Sequence, residues 1–326
     1  MQKKMSKTEH KHISESTAPR RGIAGGLIWG IALNLSIVVV EVIVGLIANS
    51  LGLLSDAAHN FTDITALGIT WFGMAQAKKP PNAEKTFGYH RTGILTALIN
   101  AITIVLVTAW IFYEAYQRFL NPQPVAGRLV LVTAAIALFA NLSIVGILKK
   151  AHSGDINIRS AILHLIGDAA ASGAVLVASL VIIATGWYPV DPLISVIIGL
   201  GLLWGAWGII RETLEIFLEE APRAIEVDKL VAEMKEEKGV RDIHDIHVWT
   251  IGSGLYALSC HVLVDDVMIS EGGHILIDLR EMLVRDFGII HSTLEIESSA
   301  CDVAGPYCDI NNHAAKPLGH HTHTAF

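Results

Sequence analysis

Two copies of one spacing, His-x-x-x-Asp, stand inside long apolar stretches of the chain: His59–Asp63 and His164–Asp168. In a helix, positions four apart share a face, so each pair offers an imidazole and a carboxylate to one point. Two such helices facing each other would assemble four donors, two nitrogen and two oxygen, the set that closes around a tetrahedral zinc-like ion. An ionisable side chain at membrane depth is costly and marks a functional site by default. A single polar residue in such a stretch usually hydrogen-bonds a neighbouring helix, and Asn34, Asn100 and Asn141 are read that way. Two matched pairs are read instead as metal ligands. Asp56 shares the face of His59, three residues earlier, while Glu41 and Glu114 are carboxylates with either a relay or a helix-pairing role.

The elements that carry these residues follow from composition. Of 326 residues, 52% are hydrophobic and only 17% charged, where a soluble domain carries about a quarter. Residues 1–21 read as a polar cytoplasmic N-terminus, since no short apolar core with a cleavage site follows them. Residues 22–212 are almost continuously apolar, 213–300 are mixed and acidic, and 301–326 form a histidine-containing tail. A membrane span needs about 20 apolar residues. Six candidates can be cut, at 22–46, 53–77, 93–117, 127–149, 160–185 and 190–212. Lys and Arg crowd the N-terminus and the loops after the second and fourth spans, which places both termini in the cytoplasm. Small residues such as Ala57, Ala58, Gly68, Gly167, Ala169 and Gly173 flank both pairs, as close helix approach in a membrane requires. The net charge of -7 argues against nucleic acid as a partner. Cys260, Cys301 and Cys308 form no CxxC, which suits a reducing compartment.

After residue 226 the period changes. A helix is expected at 226–238, strands at 242–251 and 255–264 joined through Gly-Ser-Gly, a second helix at 272–287 and a third strand at 289–297. This αββαβ order fits a small two-layer α/β domain. Strand alternation puts His244 and His247 on opposite faces, and His291, Glu295 and Glu297 on one. Loop length decides whether His244 or Asp245 stands across from His261. His274 opens the second helix. The histidines of the two ends (His10, His12, His313, His320, His321 and His323) are what disordered termini look like, although such tracts can bind metal weakly.

The segments SLGLLSDAAHNFTD (Ser50 to Asp63), KTFGYHR (Lys85 to Arg91), AILHLIGDAAAS (Ala161 to Ser172), WYPVDPLISVIIGL (Trp187 to Leu200) and HDIHVWTI (His244 to Ile251) resemble, in order, the cation diffusion facilitators. They are most similar to the branch of bacterial cobalt–zinc–cadmium resistance exporters and animal zinc transporters, over residues 25–300. The resemblance implies six transmembrane helices, a ferredoxin-like cytoplasmic domain, a homodimer in a lipid bilayer, and export of divalent metal ions against protons. By motif match, its transport ligands fall on His59, Asp63, His164 and Asp168, and a His at position 59 resembles the zinc-preferring branch. His244 matches the first histidine of the family's regulatory site. A cytoplasmic metal site is therefore expected from His244, His261 and one of His291 or Glu297, with His274 as a further candidate. The histidine-rich loop of many animal members is absent, leaving only His152, and the segment with Glu84 and His90 lacks the extra site of some bacterial members.

The expected activity is secondary transport of Zn2+, with Cd2+ or Co2+ as further substrates, across a bacterial cell membrane. No cofactor is expected; Zn2+ is the substrate and also a structural or regulatory ligand. An intramembrane metalloenzyme would need an open coordination position and a general base. No HExxH is present, and four ligands would close the site. A metal sensor is a third reading, but no signalling or DNA-binding motif is attached. The chain is read as a transporter, not an enzyme.

Overall fold

Long apolar runs can satisfy their backbone groups in lipid only by folding as helices, and the described residues before the α/β domain form six long helices. The computed structural model describes residues 21–151, 156–298 and 306–307. The helices are α1 (Arg21–Ala48), α2 (Leu51–Ala77), α3 (His90–Leu120), α4 (Gly127–Ala151), α5 (Ile156–Thr185) and α6 (Val190–Phe217). Among the described residues, four segments are long and apolar enough to cross a membrane: His90–Leu120, Gly127–Lys149, Ile162–Thr185 and Val190–Phe217. The described apolar stretch of α1, Asn34–Ala48, is shorter. In α2, Asp56, His59, Asn60 and Asp63 dilute the apolar run. Leu46, Trp71, Leu106, Phe139, Leu163 and Trp204, one from each helix, are exposed. Outward side chains of this kind on every helix suit lipid rather than water, and the protein is a multi-pass membrane protein.

The chain forms two compact units. The first holds residues up to Ile64 and Pro122–Ile194, hence α1, the first part of α2, α4, α5 and the start of α6. In it α5 packs along α4, and α4 against α1. The second unit holds Thr65–Asn121 and the chain from Ser195 onward, including the C-terminal α/β domain.

Inside the first unit, the start of α2 is held by a residue 140 positions away. Asp191, buried at the start of α6, accepts from the backbone N–H of Leu51 at 2.7 Å and of Gly52 at 3.3 Å. It also accepts from Ser50 Oγ at 2.6 Å, and Ser50 Oγ in turn accepts from Leu53 N–H at 3.2 Å. The first N–H groups of any helix lack internal partners, and a carboxylate there is favoured by the helix dipole. A Cβ on Gly52 would sit 3.0 Å from Asp191 Oδ1, so a larger residue there would press on the clamp. Asp191→Ala leaves these buried donors unpaired and should cost about 3 kcal/mol, given roughly 1–3 kcal/mol for each buried group left unsatisfied. Thermal unfolding of the purified variant in detergent checks this. Asp191→Asn, which still offers one acceptor oxygen, should recover part of the loss.

The α/β domain runs α7 (Val227–Glu236), β1 (Val240–Gly252), β2 (Leu255–Val264), α8 (Ile269–Phe287) and β3 (Ile289–Glu297). The sheet order is β1-β2-β3, with β1 antiparallel and β3 parallel to β2. A parallel neighbour needs a crossover, and α8 supplies it. Gly288, at φ 65, ends α8 with its N–H on the carbonyls of Leu283 and Val284, turning the chain directly into β3. Leu230 and Met234 of α7, Leu279 and Leu283 of α8, Ile243 and Val248 of β1, Leu258 and Val262 of β2 and Ile289 of β3 share one core. Both helices therefore cover one face of the sheet. Cys260 lies in that core, where burial pushes its thiol up to about 12.

The hairpin differs from the Gly-Ser-Gly connection expected. Gly252 pairs with Leu255, so the loop is Ser253–Gly254 alone, and three irregularities in β1 shift the register along the strand. One of them is centred on Asp245, at φ 50. The others lie between Val240 and Asp242 and between Thr250 and Gly252.

Candidate metal centres

The first centre lies within the first unit. α2 presents His59 and Asp63, and α5 presents His164 and Asp168. His59 Nε2 is 3.3 Å from Asp168 Oδ1, and His164 Nε2 is 3.3 Å from Asp63 Oδ2 and 3.9 Å from Asp168 Oδ2. Each histidine thus faces a carboxylate of the opposite helix. An ion bonded at about 2.0–2.1 Å in a tetrahedron separates its donors by about 3.4 Å, close to these spacings. Donor atoms of His59, Asp63 and Asp168 all lie within 4.8 Å of one another. Asp168 is buried, and the His164 side chain is half exposed. Asp63 Oδ2 and Asp168 Oδ1 are buried without an aligned hydrogen-bond donor, an arrangement that lacks compensation unless a cation or proton supplies it. The small residues flanking the pairs divide into two kinds. Ala57 and Ala169 are buried, but a Cβ on Gly68, Gly167 or Gly173 would meet open space, so those glycines do not draw helices together.

The second centre lies on the open face of the α/β sheet. His244 pairs directly with His261, because the bulge at Asp245 and the irregularity beyond Thr250 together offset the short turn. Their rings meet edge to face at 5.2 Å. Glu297 bridges them, with Oε2 3.1 Å from His244 Nε2 and Oε1 2.9 Å from His261 Nδ1. His244 Nε2, His261 Nδ1 and Glu297 Oε2 are buried without aligned donors or acceptors. Asp245 and Glu295 each reach His261 Nε2 at 3.6 Å.

Strand alternation fails at the bulge. His247 pairs with Ser259 and His244 with His261. Since Ser259 and His261 share a face of β2, His244 and His247 share a face as well, contrary to the expectation of opposite faces. A classic bulge sets two residues against one and shifts every later side chain. The freed N–H of Ile246 goes to the carbonyl of Pro306 at 3.0 Å. His291 is not brought to the His244–His261–Glu297 group: it pairs with Ala257, four positions along β2 from His261, and packs edge-on against Phe87 at 5.5 Å. Parallel pairing sets this, because it places the C-terminal end of β3 beside His261. His274 is exposed on α8, outside the group. Glu114 pairs with Arg118 one turn on, at 3.0 Å. His10, His12, His152, Cys301, Cys308 and the histidines from His313 to His323 lie outside the described residues.

Four polar residues escape a reading by spacing. Ser50 and Asp191 form the clamp above, and Asn60 and Ser172 bind buried carboxylates near the first centre. Asn60 Nδ2 donates to Glu41 Oε2 at 3.1 Å, and Ser172 Oγ donates to Asp56 Oδ2 at 2.8 Å.

Long apolar helices carrying two His/Asp pairs, together with a small α/β domain, define a membrane protein with candidate metal ligands. The family profile described as "Cation efflux transmembrane domain" matches residues 27–218, and that described as "Cation efflux protein, cytoplasmic domain" matches residues 222–299. The chain belongs to the cation efflux family; it is a transport protein and not an enzyme. It is 38% identical over 265 residues, 80% of this chain and 85% of that protein, to the "Cadmium, cobalt and zinc/H(+)-K(+) antiporter" of Bacillus subtilis (strain 168). It is 33% identical over 314 residues, 96% of this chain and 98% of that protein, to "Zinc transporter ZitB" of Escherichia coli (strain K12). A solved structure, "Metal-bound C-terminal domain of the CzcD transporter from Cuprividus metallidurans", aligns at 30% identity and a TM-score of 0.21, covering 22% of this chain and 99% of that one.

Proposed function

We propose that the protein exports divalent metal cations from the cytoplasm in exchange for protons, by alternating access around His59, Asp63, His164 and Asp168. Zn2+ is the foremost substrate, with Cd2+ and Co2+ as further ones. The observation that carries the reading is the crosswise approach of the two His/Asp pairs, at 3.3 Å in each direction. Two carboxylates neutralise a dication, which removes much of the electrostatic cost of holding it at membrane depth. Metal binding needs neutral imidazoles and ionised carboxylates, so it releases protons. A site that opens toward a more acidic side gains protons and loses its metal. The names of the relatives, a zinc transporter and a cadmium, cobalt and zinc antiporter, support the metal class.

In this reading all six helices span the bilayer of the cell membrane, both termini face the cytoplasm, and the protein works as a homodimer. The test is zinc flux in proteoliposomes carrying a zinc dye, with and without a pH gradient. Flux that follows the gradient is expected. Flux indifferent to the gradient removes proton exchange, and no flux removes the transporter reading.

The His244–His261–Glu297 group is a second metal site, with a regulatory role outside the transport path. His261→Ala removes the residue that touches both Glu297 and His244. It should lower by about one the zinc ions bound per full-length chain, and it should reduce transport without ending it. Equilibrium dialysis against zinc gives the count. An unchanged count removes His261 from the ligand set.

A further inference from the structure

Within the second unit, two lysines meet at one aromatic ring where the chain turns from α2 into α3. α2 ends at Ala77 and α3 begins at His90. Lys79 Nζ lies 5.5 Å and Lys85 Nζ 4.5 Å from the centre of the Tyr89 ring. A cation within about 6 Å of such a ring is drawn to its electron-rich face, but two ammonium groups at one ring also repel each other. Among the described residues neither has a carboxylate partner: Glu84, beside Lys85 in the chain, makes no ion pair, and Glu219 is taken by Arg91 at 3.1 Å. The loop itself holds this arrangement. Asn82 Nδ2 donates to Tyr89 Oη at 3.0 Å, and Asn82 Oδ1 accepts from the N–H groups of Glu84 at 3.1 Å and Lys85 at 2.8 Å. Phe87 packs edge-on against His291 at 5.5 Å, which braces the loop on the α/β domain. Lys85 and Tyr89 stand on the wall of a cavity of about 870 Å3 that β1 also lines, a volume in the range of small-ligand sites.

Depth decides what such a site meets. α3 has 31 residues, and at about 1.5 Å per residue it is about 46 Å long, close to the thickness of a bilayer with its headgroups, about 40–45 Å. Its first residue, His90, therefore stands at headgroup depth, and so does Tyr89 before it, a residue type enriched at that border. Trp71 and Met74, in the last two turns of α2, are exposed and offer an apolar surface just below the lysines. We propose that Lys79 and Lys85, gathered at Tyr89, bind the phosphate of an anionic phospholipid whose acyl chains lie along the end of α2. Each ammonium group donates N–H bonds to phosphate oxygens, charge-assisted on both sides. The phosphate's charge removes the repulsion between the lysines, and the cavity leaves room for the rest of the headgroup. A soluble phosphate ester shares the headgroup chemistry but gains nothing from Trp71 and Met74, which is why the lipid is the occupant.

The test measures lipid affinity. Full-length protein in a neutral detergent is titrated with dioctanoylphosphatidylglycerol or dioctanoylphosphatidylcholine, and bound lipid is counted by native mass spectrometry. The wild type should prefer the anionic lipid. Lys79→Gln and Lys85→Gln should each weaken its binding about fivefold, the scale of one basic residue at a membrane surface, and leave the choline lipid unchanged. Lys78→Gln removes the same charge from an exposed position beside the site and should change binding less than about twofold. Replacing both Lys79 and Lys85 by arginine should keep the preference, since a guanidinium also stacks on a ring and holds phosphate. Equal binding of the two lipids by the wild type overturns the proposal. A loss in Lys78→Gln as large as in Lys85→Gln also overturns it, because the effect is then diffuse charge. Glycerol phosphate that competes at the same concentration as the lipid makes the occupant a soluble ester and overturns the lipid. Should a variant not fold, a photoactivatable phosphatidylglycerol on the wild type decides: labelling at residues 71–89 supports the site, and labelling only elsewhere removes it.

Discussion

Asp168→Ala is expected to abolish zinc flux in proteoliposomes while the protein still folds and purifies. Asp168 is buried and approaches both histidines, at 3.3 and 3.9 Å. Its removal takes away one of four donors and half of the negative charge that balances a dication. Changes to outer-sphere partners of a metal cost about 10–100-fold in affinity, so loss of a charged ligand should exceed about 100-fold. Asp63→Ala should act in the same direction, since Asp63 Oδ2 faces His164 at 3.3 Å. Asp168→Asn keeps the shape and removes only the charge; if it is as inactive as the alanine variant, charge is the decisive property. Near-normal flux in Asp168→Ala would remove this cluster from the transport path.

His59→Asp should change which metal the protein prefers. Imidazole is a borderline donor suited to Zn2+, whereas carboxylates favour harder ions and tolerate larger coordination shells. The substitution turns two nitrogens and two oxygens into one and three and adds a negative charge beside Asp168, 3.3 Å from His59 Nε2. Discrimination in favour of Zn2+ over Cd2+ and Mn2+ should fall. The pH profile of flux should change as well, because an imidazole titrates near neutrality and a carboxylate well below it. Competition flux with the three metals at two external pH values reads both effects. If metal ranking and pH profile match the parent, His59 does not touch the metal.

The two His-x-x-x-Asp pairs could be picked from the chain because helical period and the cost of charge in lipid act together: few residue types are tolerated there, and spacing then names the face. The order of elements in the α/β domain was legible for a similar reason, since alternation and turn residues are local signals. The bulge at Asp245 was not. A bulge costs one residue of register and leaves no period of its own, so His244 and His247 were assigned to opposite faces. Parallel pairing of β3 on β2 also lies beyond local pattern, and it separates His291 from the group that Glu297 joins. Asp191 escaped for another reason. An acidic residue in the first turn of α6 looks like support for its own helix, yet its hydrogen bonds go to the first turn of α2.

The clamp of Asp191 on the start of α2 also makes that helix a lever with a fixed fulcrum. At about 1.5 Å per residue, His59 stands about 12 Å from Leu51 and Asp63 about 18 Å. A rigid tilt of about 10° around the fulcrum carries the first by about 2 Å and the second by about 3 Å. Metal–ligand bonds are only about 2.0–2.1 Å long, so a swing of this size opens the grip on an ion while the hydrogen bonds of Leu51 and Gly52 to Asp191 stay closed. Sensitivity rises along the helix from its anchored end, and Asp63, at the long end of the arm, is the donor whose position changes most for the least rotation.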